Sequence, residues 1–188
     1  LTKTGDGTQT LSGTNTYTGT TSVDNGVLAI SNAAGLGATD GATTVANAAA
    51  LNISGGINVA EAITISGSGV SNNGVIRSTS GNNTLSGQIT ISAHAQIQSD
   101  ANTLTLNVAS SSSITASNKN ITFDGAGNIT VSDPIATGSG TLTKTGSGTL
   151  TLSAANTYTG ATTISAGVAA ISNNTSFGTT DAATTIAS

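Results

Sequence analysis

The opening of the chain returns near its end. LTKTGDGTQTLSGTNTYTGTTSVDNGVLAISNAAGLGATDGATTVAN reappears as LTKTGSGTLTLSAANTYTGATTISAGVAAISNNTSFGTTDAATTIAS, with Leu1 over Leu142 and no gap to Ser188. The offset is 141 residues, and 29 of the 47 paired positions are identical, far more than shared composition supplies. A chain that repeats itself is built from stacked supersecondary units, each burying its apolar face against the next. The sequence therefore reads as one continuous solenoid over 1–188, with a first unit at 1–141 and a second beginning at 142–188.

A shorter rhythm runs inside the long one. Ile30, Ile53, Ile76 and Ile97 follow one another at 23, 23 and 21 residues, and Val45, Ile65 and Ile91 at 20 and 26. A period of 20–25 residues suits a coil of three short strands and three turns, and predicts that the four isoleucines form one inward column, while the second series drifts around the same value. Beyond Ile97 no ladder keeps register. The runs 63–66, 89–92, 103–108, 128–132 and 149–153 alternate apolar and polar with period two, as half-buried strands do. Gly5-Asp6-Gly7, Asp24-Asn25-Gly26, Asn72-Asn73-Gly74, Gly81-Asn82-Asn83 and Asp124-Gly125 punctuate them as turns. No helical period is visible. The fold class is all-β, a parallel β-helix (β-solenoid).

Composition agrees. Charged residues make up 6% of the chain, against about a quarter in most soluble domains. There are two Tyr, two Phe and no Trp, Met or Cys, too few large side chains for a compact globule. Disorder combines low hydropathy with high net charge; here mean hydropathy is +0.12 and formal charge −4. Four Lys plus Arg and an isoelectric point near 4.4 argue against nucleic acid. No apolar run approaches the roughly 20 residues of a spanning helix, so membrane insertion of this segment is not expected.

Leu142-Thr-Lys144-Thr-Gly146-Ser-Gly148-Thr-Leu150-Thr-Leu152, followed by Asn156-Thr-Tyr158-Thr-Gly160, Thr162, Ile164 and Gly167, resembles the autotransporter-associated β-strand repeat, also called the passenger-associated transport repeat. The first copy is similar through Lys3, Gly5, Gly7, Leu11, Asn15, Tyr17, Gly19, Val23 and Gly26, and departs at Gln9, where the second has Leu150. The resemblance implies a β-helical passenger of a large exported protein, anchored by an outer-membrane β-barrel and found at the bacterial cell surface. Adhesion, biofilm contact and assistance to export are the roles it implies. It carries no catalytic residues.

The candidates for chemistry are sparse. Asp6, Asp24, Asp40, Glu61, Asp100, Asp124, Asp133 and Asp181 are scattered, with one Arg (Arg77) and one His (His94). A polysaccharide-acting β-helix needs carboxylates gathered on one face, and His94 reads as a surface residue. Gly5-Asp6-Gly7 and Asp124-Gly125-Ala-Gly127 lack the nonapeptide tandem of calcium-binding repeats. Lys3 and Lys144 share a repeat position and read as covering a strand edge or corner; Tyr17 and Tyr158 read as packing under a turn. Thr8/Thr10, Thr103/Thr105, Thr141/Thr143 and Thr149/Thr151 raise an ice- or surface-binding alternative, but the pairs do not recur at the coil spacing. No catalytic, cofactor-binding or metal-ligating residue is assigned, and an enzyme is not expected.

The expected role is therefore structural: a stalk segment whose partners are further copies of itself or surface glycans and proteins. Leu150, Leu152 and Ile164 should point inward and Thr149, Thr151 and Ser153 outward, with Leu11 matching Leu152 and Gln9 the exception. Both ends should be bare coil faces, with the parent chain running on past Ser188.

Overall fold

Each alternating run is a strand in the computed structural model, which describes residues 1–109, 111–179 and 183–187. The chain winds through about eight turns of a parallel β-solenoid with three walls. The first wall stacks β1 (Thr2–Lys3), β3 (Thr21–Val23), β5 (Thr43–Val45), β8 (Ile63–Gly67), the start of β11 (Ile89–Ser99), β13 (Ile114–Ala116) and β16 (Ile135–Ala136). The second stacks β2 (Thr8–Leu11), β4 (Gly26–Ile30), β6 (Ala49–Ser54), β9 (Ile76–Ser80), the end of β11, β14 (Ile121–Asp124), β17 (Leu142–Lys144), β19 (Thr162–Ile164) and β21 (Thr184–Ile186). The third stacks β7 (Asn58–Val59), β10 (Asn83–Leu85), β12 (Thr103–Leu106), β15 (Asn128–Val131), β18 (Thr149–Leu152) and β20 (Val168–Ile171). Every pairing is parallel and joins like segments of neighbouring coils. Because β11 runs through a corner without a break, the first and second walls form one continuous sheet.

Period two becomes inside and outside. Leu150 and Leu152 are fully buried and Ile164 nearly so, while Thr149, Thr151 and Ser153 face out. Gln9 pairs with Leu28 and Leu11 with Ile30, so both hold inward register positions. Gln9 lies exposed in the first coil, its Nε2 donating to Thr10 O at 3.1 Å. At the opposite end Val168, Ile171 and Ile186 are exposed. Ser188 lies outside the described residues.

The isoleucine column needs correction. Ile30 stacks on Ile53, and Ile76 on Ile97, but Ile53 pairs with Ser78 while Ile76 pairs with Leu51. All four lie buried on the second wall, in two adjacent columns. The cause is a 3₁₀ turn at Val70–Asn72, which lengthens the corner between β8 and β9. The register slips there by two residues, and a two-residue slip keeps each side chain on its face. The column beside it runs Leu28, Leu51, Ile76, Ile97, Phe123, Lys144, Ile164. The Val45, Ile65, Ile91 series is a true column, extended by Lys3 and Val23 before it and Ala116 after.

Candidate functional site: buried polar staples of the repeat

Lys144 breaks a column of hydrocarbon. It follows Leu142 by two residues on a strand, so its side chain starts inward, between Phe123 and Ile164. It is 3% exposed. Its Nζ donates to the carbonyl oxygens of Thr145, Gly146 (2.7 Å) and Ala166 (3.3 Å) at the next corner. Lys3 repeats the arrangement on Thr4 (3.1 Å), Gly5 (2.7 Å) and Asn25 (2.9 Å). Both lysines close a corner and neither covers an edge; each is an internal cation within a ring of carbonyls. Burial pulls the Lys144 ammonium below its ordinary range, and the charge of Asp124 opposes that shift. With all three N–H groups in use, the ammonium has none left for an outside ligand. Gly167 has φ +74°, and a Cβ there would come 2.8 Å from the Lys144 Nζ and 2.5 Å from two carbonyl oxygens. Only glycine leaves the room.

The other shared residues work the same way. Asn15 Nδ2 donates to Gly35 O at 2.7 Å, and Asn156 Nδ2 to Ser176 O, the equivalent atom. Asn156 Oδ1 also accepts the N–H of Ile135 at 2.7 Å, tying three coils. The Tyr158 hydroxyl meets Thr162 Oγ1 at 2.7 Å and Tyr17 meets Thr21 at 2.9 Å. Both rings lie beneath a glycine, Gly178 or Gly37, as expected of a tyrosine under a turn. Tyr158 is fully buried, and burial pushes its hydroxyl up to about 12.

Sequence reasoning passed over two further inward polar groups. Glu61 is 3% exposed; its Oε1 accepts from Thr43 Oγ1 at 2.7 Å and its Oε2 has no partner. Burial raises its pKa, against the hydrogen bond from Thr43. Asn83 is fully buried, donating to Ser78 Oγ and Ser80 O at 2.9 Å and accepting from the N–H groups of Gly56 and Ile57. The signal was present for Glu61: it follows Val59 and precedes Ile63 and Ile65 in one alternating series.

The remaining acids stay apart. Asp6 accepts from Asn25, Asp24 from Ser22, and Asp133 from Ser113. Asp100 pairs with Arg77 at 2.8 Å, half-exposed on the second wall. Asp124 Oδ1 accepts the N–H of Gly125 at 2.7 Å, a turn contact. Asp40 is exposed in a turn, and Asp181 lies outside the described residues. His94 is exposed, its Nδ1 accepting the Asn120 N–H at 2.9 Å. Among the described residues no three His, Asp or Glu side chains gather as metal ligands, and no helix is long and apolar enough to cross a membrane.

Threonines form outward files, though not those the pairs suggested. Thr44, Thr64, Thr90 and Thr115 stack on the first wall, Thr122, Thr143, Thr163 and Thr185 on the second, and Thr84, Thr105, Thr130 and Thr151 on the third. The pairs Thr103/Thr105 and Thr149/Thr151 share the third wall, but Asn128 stands between Thr103 and Thr149. No wall holds an unbroken double file among the described residues.

The passenger-associated-transport-repeat model matches residues 1–30 and 142–168, the two segments that carry the lysine, asparagine and tyrosine staples. The chain is similar to that family at both places. No curated protein and no solved structure matches the chain.

Proposed function

We propose that this chain is a shaft segment of an exported, autotransporter-type passenger, and that its work is mechanical. The observation that carries this reading is the direction of the repeat's own residues. Lys3, Lys144 and Asn156 each bond to backbone groups 20 to 22 residues away on a neighbouring coil, and the Tyr158 ring lies beneath Gly178 while its hydroxyl meets Thr162 four residues on. A motif spent on joining coils supports stacking and growth along an axis, not recognition of a ligand. In this reading the segment stands outside the cell and holds contacts away from the membrane. Adhesion, by self-association or to surface glycans and proteins, uses its outer walls or regions beyond it.

An antibody raised against the fragment tests the placement. It should label intact cells of the source organism, and surface protease should remove the label. Labelling that needs lysis would end the proposal.

A further inference from the structure

The two copies of the repeat do not lie on the same walls. The first begins with β1 on the first wall and β2 on the second. The second begins with β17 on the second wall and β18 on the third. Equivalent strands are therefore displaced by six full coils and one further wall. The outward file Thr2, Ser22, Thr44 of the first copy becomes Thr143, Thr163, Thr185 on the adjacent wall. Thr10 on the second wall becomes Thr151 on the third. The staples travel with their strands: Tyr17 sits between β2 and β3, and Tyr158 between β18 and β19.

We infer that successive copies turn the same outer face through one-third of a circle about the shaft. The phase is set by length alone, because 141 residues fill six coils and a third. A further copy in the same phase falls on the third wall, and the first wall is regained after three units, about 90 Å along the axis. A flat partner meets the same face of only one copy in three. This goes beyond the shaft reading and does not depend on what the walls bind.

The chain has no cysteine, so introduced ones report cleanly. Thr122 and Thr143 are in register on neighbouring strands, and Thr122→Cys/Thr143→Cys should close a disulfide. Thr115→Cys/Thr143→Cys should not, because Thr115 lies on the first wall. Closure of the second pair instead of the first would overturn the inference. For display, desthiobiotin on short linkers would be placed at Ser22→Cys/Thr163→Cys, equivalent positions, and at Ser22→Cys/Thr115→Cys, one wall. On a flat streptavidin layer the one-wall pair should leave at least about 100-fold more slowly than a single label. The equivalent-position pair should stay within about twofold of a single label. A matching avidity gain by the equivalent pair would refute helical display, and its absence in the one-wall pair would refute the wall assignment.

Discussion

The ammonium of Lys144 lies 2.7 Å from the carbonyl oxygen of Gly146, inside the corner it helps to close. Its stem fills the place of a core aliphatic while its head satisfies carbonyls that no strand partner reaches. Lys144→Met keeps the stem and removes the head. It should destabilise the fold by about 2–4 kcal/mol, read as a lowered urea midpoint with an unchanged slope. Gly167→Ala should cost a comparable amount by another route, since its Cβ strikes backbone oxygens. Wild-type stability in Lys144→Met would show that water serves the corner equally well.

Glu61 sets a pH dependence. Its folded pKa is raised by burial, so the folded state holds the proton more tightly than the unfolded chain. The stability it contributes is complete below the ordinary carboxylate value and is lost as pH rises through the folded value. Urea midpoints should fall with pH from about 4.5 upward, and Glu61→Gln should flatten that fall. An equal slope in the variant would place the proton elsewhere.

Tyr158 acts at the other extreme. Its hydroxyl is pushed up to about 12, so protonated tyrosine stabilises the fold up to the ordinary phenol range, and that contribution is lost between about pH 10 and 12. Tyr158→Phe should lose about 1 kcal/mol at neutral pH with the Thr162 hydrogen bond. It should also unfold less steeply through that alkaline window, followed by circular dichroism.

Position along the stack should govern the cost of core truncation. Ile53 is fully buried with Ile30 on one side and Ser78 on the other; Ile53→Ala should cost about 2–5 kcal/mol. Leu11 holds the same column but is only partly buried, and Leu11→Ala should cost less than half as much. Equal losses, measured by denaturant unfolding, would contradict the stacking order.

Periodicity made most of this legible. Alternation identified the strands and placed Leu150, Leu152 and Ile164 inside, and the 141-residue echo identified the repeat. Polarity misled where the pattern was sound. Leu142-Thr-Lys144 alternates like any other strand, yet charge suggested a residue covering an edge or corner; its ammonium closes a corner from the inside, on the carbonyls of Thr145 and Gly146 and on one 22 residues on. The Ile53–Ile76 spacing failed differently, because the extra turn at Val70–Asn72 adds length without changing parity. No local pattern reveals such an insertion. The rotation between copies was also invisible, since it needs the count of coils as well as of residues.

The parallel pairing that builds every wall also decides how the rod fails under load. Hydrogen bonds between coils point along the axis, so tension from end to end opens them one row at a time instead of shearing a whole sheet. Each coil set free extends by roughly 75 Å, taking about 22 residues at full reach. A rod of this kind therefore yields in steps, lengthening at nearly constant force where a shear-loaded domain would hold and then snap. The lysine staples, which cross between coils at Lys3 and Lys144, raise the force of the steps they span.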